Sequence, residues 1–404
     1  MSNQNKKGAA VIGQSGGPTS VINQSLVGAV LELKKNGLVD EVLGARHGVR
    51  GIVSDDFIGL NTAPDELLER VALTPAAALG STRDKPDQAY CEKIFQSFAR
   101  HDVRYFFYIG GNDSADTARI VSELAAKSGH ALKTFHIPKT IDNDLRVHDH
   151  TPGFGSAARF VACAMMGDNY DNRSLPGIKV DIIMGRNAGF LTAASVLARR
   201  HPEDGPHLIY VPEVPVSKEK FLGDVDRVYK KQGRCLIAIS EGVSRPDGTI
   251  WAEAIVSEAL DRDTHGNVQL SGSGALGDYF ATLIKEKLGK KLRVRADTFG
   301  YLQRSFAGCV SEVDAREARL VGQTAVRYAA EGKDNGSVAM RRNGGSSYNV
   351  ETFLTPLSTV AKETKHLDPA WISDGNNISA AFENYARPLI GTLPIVGTFD
   401  ELKK

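Results

Sequence analysis

Residues 138–144 read Pro-Lys-Thr-Ile-Asp-Asn-Asp and follow an apolar run, 132–137, that is typical of a buried strand. Residues 110–114 read Gly-Gly-Asn-Asp-Ser and follow a second such run, 105–109. Each motif is therefore expected at the carboxyl end of a strand, which is the edge where open α/β sheets bind their ligands. Together the two motifs predict a ligand site on a parallel sheet.

The residue types in these motifs suit the transfer of a phosphoryl group to an alcohol. One carboxylate of the motif at 138–144 can accept the hydroxyl proton, and another can help to hold a metal ion. Glycines such as Gly110 let backbone amides approach phosphate oxygens. An Asx-rich turn explains residues 140–144 equally well when they are considered alone, but their pairing with residues 110–114 favours a site.

A third glycine-rich motif lies near the N-terminus, where residues 13–17 read Gly-Gln-Ser-Gly-Gly. It connects a predicted strand over 9–13 to a predicted helix over 20–35, and such a turn presents amides and a helix N-terminus to an anion. The motif matches neither GxxxxGK[ST] nor GxGxxG, so it is not an ordinary nucleotide-binding motif. Considered alone, it is explained equally well by a tight turn without a ligand.

Short apolar runs alternate with segments of helical period along most of the chain. This alternation predicts right-handed βαβ units and a parallel sheet that is covered on both faces. The turn at 151–155 is interpreted as a crossing into a second domain, and residues 261–278 as a surface or active-site loop. Residues after about 344 carry turn signals and isolated apolar runs that support no assignment.

The composition is that of an ordinary globular protein, with 42% hydrophobic and 24% charged residues in 404. The net charge of +1 gives no reason to expect a nucleic-acid or membrane partner. The four cysteines form no CxxC pair, so neither a disulfide framework nor a zinc site is expected. The sequence has no signal-like segment and no long apolar window, which predicts a cytoplasmic protein.

Seven short motifs, in this order, resemble those of the phosphofructokinase family. They are GQSGGPTSVIN (13–23), LGSTR (79–83), GGNDS (110–114), PKTIDND (138–144), MGRNAG (184–189), AISEG (238–242) and GYLQR (300–304). The resemblance covers about residues 8–330. Asp113 and Lys139 look like the pyrophosphate-dependent branch, since the ATP-dependent branch usually has glycine at both positions.

The resemblance implies an α/β fold of two Rossmann-like lobes with parallel-rich sheets and the active site in the cleft between them. It implies a donor-binding lobe over 1–152, rejoined by part of 305–404, and a sugar-phosphate-binding lobe over 153–304. Residues 305–404 would form a helical return and a C-terminal region. The implied reaction is reversible, Mg²⁺-dependent transfer of a phosphoryl group from pyrophosphate to the 1-hydroxyl of fructose 6-phosphate, in glycolysis and gluconeogenesis. A homodimer or homotetramer is expected.

The resemblance also implies roles for individual residues. The catalytic residues would be Asp142 as general base, Thr140, and Arg83 as the cation that neutralises the transferring group. Donor binding and donor choice would fall to Gly16, Gly17, Asp113 and Lys139, and the Mg²⁺ ligands would be Asn112, Asp113 and Asp144. The sugar phosphate would be bound by Thr140, Asp142, Asp144, Met184, Gly185, Arg186, Glu241, Arg295, Tyr301 and Arg304. Guanidinium groups suit bidentate binding of phosphate, although a single arginine is more often an exposed surface charge.

Three positions depart from the family pattern. Asn112 replaces an aspartate that commonly helps to bind magnesium, so the metal shell has one negative charge less or depends more on Asp113 or Asp144. Tyr301 stands where many ATP-dependent relatives have histidine, and its hydroxyl can still reach a phosphate oxygen. Many relatives carry an arginine near residues 175–179 that reaches a neighbouring subunit, and Lys179 is the candidate substitute.

Two other functions remain as alternatives. One is an ATP-dependent 6-phosphofructokinase, or a kinase of a related sugar phosphate such as sedoheptulose 7-phosphate. The other is a catalytically silent subunit that binds sugar phosphates and regulates a partner, although the intact Asp142, Arg83 and Arg304 argue against it. His148 and His150 have a spacing compatible with a metal, but a solvated loop is the favoured interpretation of this segment.

Overall fold

The computed structural model describes residues 7–256, 274–345, 347–361, 363–399 and 402 of the chain. These residues divide into two compact units. Unit 1 contains the described residues within Met1–Ala157 and Tyr301–Leu367. Unit 2 contains those within Ala158–Leu260, Gln269–Gly300 and Asp368–Lys404.

Strands and helices alternate through most of both units. The strands are β1 (Ala9–Gln14), β2 (Glu41–Ala45), β3 (Phe57–Gly59), β4 (Val103–Gly110), β5 (Lys133–Pro138), β6 (Ile178–Ile183), β7 (Leu208–Tyr210), β8 (Cys235–Ser240), β9 (Val294–Thr298), β10 (Gly336–Arg342), β11 (Val350–Thr355), β12 (Ile372–Ser373) and β13 (Asn377–Ile378). The helices are α1 (Ile22–Asn36), α2 (Val49–Val53), α3 (Asp65–Leu73), α4 (Gln88–Arg100), α5 (Asn112–Lys127), α6 (Phe154–Ser174), α7 (Phe190–Ala194), α8 (Lys218–Gln232), α9 (Trp251–Val256), α10 (Ala275–Leu288), α11 (Leu302–Ser305), α12 (Glu312–Ala330), α13 (Leu357–Val360) and α14 (Ala380–Ile390).

Unit 1 is built on a seven-stranded sheet in the order β11-β10-β5-β4-β1-β2-β3. The edge strands β3 and β11 run antiparallel to their neighbours, and the five strands between them pair in parallel. From β1 the chain proceeds to one side through β2, whereas β4 and β5 lie on the other side. The carboxyl ends of β1 and β4 therefore flank a topological switch point, which is where such sheets bind ligands.

Helix α1 follows the glycine motif of residues 13–17 and packs closely against α12. A Cβ atom on Gly28 would lie 2.5 Å from the backbone oxygen of Arg319, and one on Gly322 would lie 2.2 Å from that of Ser25. Only glycine allows the two helix backbones to approach this closely. The helix ends at Gly37, whose left-handed conformation (φ +54°) lets its N–H donate to the Leu33 carbonyl.

Unit 2 is built on a four-stranded, wholly parallel sheet in the order β7-β8-β6-β9. Every residue of its central strands β6 and β8 is buried, as expected for a parallel sheet that is covered on both faces. Both units thus confirm the predicted α/β class with parallel-rich sheets. The antiparallel edge strands were not predicted, because alternation of strand and helix carries no signal for them.

The predicted loop over 261–278 is wrong at its end, because α10 already begins at Ala275. Residues 261–273 of that loop lie outside the described residues. The region after 344, unassigned from sequence, contributes β11 and α13 to unit 1 and β12, β13 and α14 to unit 2. Of the helices that the structure describes, none has the length and apolarity required to cross a membrane.

Candidate active site

The glycine motif after β1 is fastened to the end of β4. The Ser15 N–H donates to the Ile109 carbonyl at 2.9 Å, and the hydroxyls of Ser15 and Ser114 are hydrogen-bonded to each other. A Cβ atom on Gly110 would lie 2.0 Å from the Ser114 Oγ, so no larger residue fits there. The motifs at 13–17 and 110–114 are therefore neighbours at the switch point of the unit 1 sheet.

Three cationic side chains converge on this turn, and we call Arg83, Lys139 and Arg304 the cation cluster. The Lys139 Nζ donates to the Gly17 carbonyl at 2.7 Å. A Cβ atom on Gly17 would lie 3.1 Å from the Arg304 Nη1 and 3.8 Å from the Arg83 Nη2. Gly16, at φ +73°, has the Lys139 Nζ 3.2 Å from the position of its absent Cβ. A glycine backbone thus faces three positive charges, an arrangement suited to a polyphosphate.

Burial makes the charge on Lys139 costly. The side chain is only 3% exposed, and burial lowers its pKa to about 7, with further lowering by the positive charges of Arg304 and Arg83. Asp142 and Asp144 act in the opposite direction. A bound anion would relieve the repulsion among the three cations, so the cluster is electrostatically prepared for a strongly negative ligand.

The loop between β5 and α6 carries both predicted carboxylates. Its backbone is held by a hydrogen bond from the Asp142 N–H to the Thr140 Oγ1 at 3.1 Å, and by one from the Thr151 hydroxyl to the Thr140 carbonyl at 2.8 Å. Asn143 adopts a left-handed conformation with φ +58°, which asparagine tolerates better than most residues. This turn places Asp142 and Asp144 in the electrostatic surroundings of Lys139.

The predicted metal ligands supply hard oxygen donors. Burial raises the pKa of Asp144, so a divalent cation beside it would favour the ionised carboxylate. The Asn112 Oδ1 accepts the Asp113 N–H at 2.8 Å. Within the described part of the chain, the aspartates of these motifs do not form a closed group of three carboxylates. Such an open oxygen set fits Mg²⁺, which usually keeps water and substrate phosphates in its shell.

Asp113 lies at the start of α5, where its side chain is 61% exposed and forms an ion pair with Lys85 at 3.1 Å. Sequence reasoning missed Lys85, because a lone lysine two residues after LGSTR carries no motif. The exposed carboxylate stands at the same sheet edge as Lys139, whose backbone N–H donates to the Gly110 carbonyl at 2.9 Å. Asp113 and Lys139, the two predicted donor-specificity residues, therefore lie at the same edge of the unit 1 sheet.

A second group of predicted residues meets at the sheet edge of unit 2. The Glu241 N–H donates to the Ile183 carbonyl at 2.9 Å, and the Ser240 hydroxyl donates to the Gly185 carbonyl at 2.6 Å. The Glu241 side chain is 6% exposed and accepts the Gly185 N–H at 3.5 Å. The MGR and SEG motifs, including Met184 and Arg186, are thus joined where β6 and β8 end.

The remaining predicted residues have different surroundings. Arg295 lies on β9 of unit 2 and is paired with Asp171. In unit 1 the Arg304 guanidinium lies over the exposed Tyr301 ring, 4.5 Å from its centroid. Tyr301 therefore lies beside the cation cluster through Arg304. Arg295 pairs with Lys179 near the start of β6, so it lies at the opposite end of the unit 2 sheet from Glu241, and the structure does not bring it together with the unit 2 group.

A lysine that substitutes for an inter-subunit arginine would have to extend to the protein surface, and Lys179 does not. It is only 5% exposed and pairs with Asp168 at 2.5 Å and Asp297 at 2.7 Å. Buried Asp181 lies 3.9 Å away. The ammonium group is therefore the counter-ion of a carboxylate cluster inside unit 2.

The solvated-loop interpretation of the two histidines is also wrong. His148 and His150 are 4% and 2% exposed. The His150 ring contacts Asp149 at 2.7 Å through Nδ1 and Glu317 at 2.6 Å through Nε2. Burial lowers the pKa of His150, but hydrogen bonds to the two carboxylates outweigh it, and the net pKa is raised. Both histidines fasten the loop that carries Asp142.

The chain is similar to proteins of known function. A family model described as Phosphofructokinase matches residues 9–329. A pyrophosphate–fructose 6-phosphate 1-phosphotransferase of Rhodospirillum rubrum is 55% identical over 389 residues, which are 95% of this chain and 95% of that protein. A sulfofructose kinase of Alkalicoccus urumqiensis is 33% identical over 363 residues, covering 89% of this chain and 90% of that protein.

A solved structure shares the fold. The crystal structure of a pyrophosphate-dependent phosphofructokinase from Nitrosospira multiformis matches with a TM-score of 0.85 and 32% identity, covering 98% of this chain and 94% of that chain. The match extends past residue 329 and so includes most of the C-terminal region.

Proposed function

This chain belongs to the phosphofructokinase family, and from that premise we propose that it is a pyrophosphate-dependent phosphotransferase. It transfers a phosphoryl group from pyrophosphate to the 1-hydroxyl of fructose 6-phosphate. The products are fructose 1,6-bisphosphate and phosphate, and the reaction is reversible. Support comes from the relative that is 55% identical and bears this activity in its name.

The observation that carries the choice of donor is the contact of the Lys139 ammonium with the Gly17 carbonyl at 2.7 Å. It places a cation inside the glycine turn, where pyrophosphate can take up the charge of the whole cluster. Asp113 adds an exposed carboxylate near the same edge. This carboxylate repels the additional phosphate of a nucleoside triphosphate, so rejection of ATP is built into the site.

The chemical step needs a base, positioned reactants and cations. Asp142 accepts the proton of the sugar 1-hydroxyl as that oxygen forms its bond to phosphorus. The bond from this phosphorus to the bridging oxygen of pyrophosphate breaks, and phosphate leaves with the electron pair. Arg83, Lys139 and Arg304 stabilise the charge on the transferring and leaving groups. In the reverse direction Asp142 returns the proton.

We propose Asn112, Asp113 and Asp144 as the protein ligands of Mg²⁺. Bound there, the ion would withdraw charge from phosphate oxygens and so ease attack by the hydroxyl. The protein's own part is to hold oxygen donors beside the cation cluster while leaving coordination positions open.

We assign the sugar phosphate to the unit 2 group. Buried Glu241 can accept hydrogen bonds from sugar hydroxyls, and Arg186 lies in the MGR segment after β6. We assign the fixed 6-phosphate to Arg295, which stands apart from this group near the start of β9. Because a relative is named as a sulfofructose kinase, an assay should compare fructose 6-phosphate with sulfofructose as phosphoryl acceptors.

The deciding experiment offers pyrophosphate and ATP separately to the purified protein with Mg²⁺ and fructose 6-phosphate, and follows fructose 1,6-bisphosphate. Sulfofructose and sedoheptulose 7-phosphate serve as competing acceptors, and Asp142→Asn is the inactive control. We expect turnover with pyrophosphate and fructose 6-phosphate. Preference for ATP would replace this proposal with the ATP-dependent alternative, and absence of turnover with every donor would favour the silent subunit.

Two further expectations accompany the proposal. We propose that the protein acts in the cytoplasm in glycolysis and gluconeogenesis, and that it forms a homodimer or homotetramer. Light scattering coupled to size-exclusion chromatography measures the second directly, and a monomeric mass would refute it.

A further inference from the structure

A short C-terminal segment, residues 363–367, lies along the loop that carries Asp142 and Asp144. We call it the strap. Thr364 forms an antiparallel bridge with Leu145, and the Lys365 N–H donates to the Asp144 carbonyl at 2.7 Å. The strap lies beyond the last of the seven motifs, which ends at residue 304. It also lies beyond residue 329, where the family match ends.

The Lys365 side chain extends this backbone contact to the far end of the loop. Its Nζ donates to the carbonyls of His148 and Asp149, each at 3.0 Å. Lys365 therefore contacts the loop at two places, at Asp144 through its backbone N–H and at His148 and Asp149 through its ammonium group. The ammonium also faces the carboxylates of Asp144 and Asp149, and burial lowers its pKa to about 8.

The far end of the loop is itself anchored to the sheet. The Asp149 N–H donates to the Met340 carbonyl on β10 at 2.9 Å, and the His148 Nε2 lies 3.2 Å from the Val338 carbonyl. His150 is held between Asp149 and Glu317 of α12. Lys365 thus connects the turn that carries the carboxylates to a part of the loop that β10 and α12 keep in place.

We infer that Lys365 is a positioning residue for phosphoryl transfer: it holds the Asp142–Asp144 turn against the anchored end of the same loop. The inference rests on the proposed function, since it concerns the loop that carries the proposed base. It gives a role in catalysis to a residue of the region after 344, which the sequence alone left unassigned. Lys365 touches the loop backbone rather than a reacting atom, so it acts through the placement of Asp142 and Asp144.

The test compares three variants with wild type, each assayed with the donor that wild type uses. Lys365→Met keeps the length of the side chain and the backbone N–H but removes the charge and the donors. Because small displacements of reacting groups cost up to about 10²-fold in rate, we expect kcat to fall about 10- to 100-fold. The KM values for donor and sugar phosphate should change less than about threefold, because the cation cluster and the unit 2 group keep their contacts and the displaced turn acts mainly in the transition state.

Two variants separate positioning from general structural damage. Lys365→Arg keeps a cation with several donors and should recover kcat to within about fivefold of wild type, a loss of roughly 1 kcal/mol. Glu363→Gln removes the exposed ion pair of the strap with Arg146 and should leave kcat within about twofold, since exposed pairs contribute little. All assays are run below the melting temperature of each variant, as measured by circular dichroism.

The inference is overturned if Lys365→Met turns over within about twofold of wild type, if its KM values rise as much as kcat falls, or if Lys365→Arg is as slow as Lys365→Met. The proposed function has a separate failure, namely a wild-type protein that does not use pyrophosphate. With a wild type that uses ATP instead, the kcat–KM split of the variants is measured with ATP and decides the role of Lys365. With a wild type that uses no donor, the inference falls together with the proposed function.

Discussion

The Lys139 Nζ donates a hydrogen bond to the Gly17 carbonyl at 2.7 Å, although the two residues are 122 positions apart in the sequence. The contact joins the PKTIDND motif to the glycine turn at the switch point of the unit 1 sheet. It also places a poorly hydrated ammonium beside Arg83 and Arg304. The following predictions test what this arrangement does.

Asp142→Asn should lower kcat by about 10² to 10⁴, because the amide cannot take the proton of the attacking hydroxyl. The KM for fructose 6-phosphate should stay nearly constant, since the base acts in the transition state. Steady-state kinetics in both directions measure the effect. Asp226→Asn, which changes an exposed helix ion pair with Lys230, is the matched control. A variant that keeps more than about a tenth of wild-type kcat shows that another group is the base.

The double variant Asp113→Gly, Lys139→Gly should lose pyrophosphate activity and gain ATP activity. It removes the repelling carboxylate and the ammonium that favours the smaller donor. Lys139→Gly alone should damage pyrophosphate use more than it helps ATP, because Asp113 remains. Specificity constants for the two donors, measured in parallel, give the answer. The idea fails if both variants keep the wild-type preference.

Arg304→Ala and Arg295→Ala should separate the binding of pyrophosphate from the binding of the sugar phosphate. Arg304 lies beside Gly17, so its loss should raise the KM for pyrophosphate as well as impair the sugar-phosphate kinetics. Arg295 lies on β9 of unit 2, so its loss should raise only the KM for fructose 6-phosphate. A charge-assisted contact is worth roughly 1.5–3 kcal/mol, or about tenfold to a hundredfold in affinity. Equal changes in both constants for Arg295→Ala would contradict its assignment.

Lys139→Met should make the protein more stable at pH 7 while it inactivates the enzyme. The folded-state pKa of Lys139 is lowered to about 7 from an ordinary 10.5, so the unfolded chain binds more protons between these values. The free energy of unfolding therefore rises with pH across that window. The variant should gain about 1–2 kcal/mol at neutral pH and show a flatter dependence above it. Thermal unfolding from pH 7 to 10 tests this, with the exposed Lys230→Met as control; unchanged slopes would refute the prediction.

His150→Gln should have its largest cost in stability at low pH. The folded-state pKa of His150 is raised above 6.5, so its contribution is complete below about pH 6.5 and is lost as pH rises through the folded pKa. The variant should lose about 1.5–3 kcal/mol at pH 6, where charge-assisted hydrogen bonds to two carboxylates are removed, and less at pH 8.5. Calorimetry at both pH values measures the difference, and His201→Gln serves as control. A loss that grows with pH would show that His150 is not held as a cation.

Much of the fold was predictable because its signals are local. The buried strands β1, β4 and β5 were recognised within one or two residues, since apolar runs between turns mark them directly. The antiparallel edge strands β3 and β11 were not, because their pairing depends on neighbours that are distant in sequence. Residues 190–198, which read as one continuous helical segment in the sequence, are observed as α7 followed by a 3₁₀ turn, Ser195–Ala198. All residues from Phe190 to Ala198 are buried, so packing within unit 2 decides the backbone conformation of this segment more than helical propensity does.

By itself, the sequence determined the chemical types at the site and the strand ends on which they stand, because glycine turns and carboxylate pairs are contiguous in the chain. Only the tertiary structure decided which of them meet. It put Arg304 beside Gly17, turned Lys179 inward among carboxylates, and brought Lys365 to the loop of Asp142. The physical reason is that these contacts are long-range: charge pairing and close backbone approach arise from how the sheets and helices pack, and no periodicity along the chain records them.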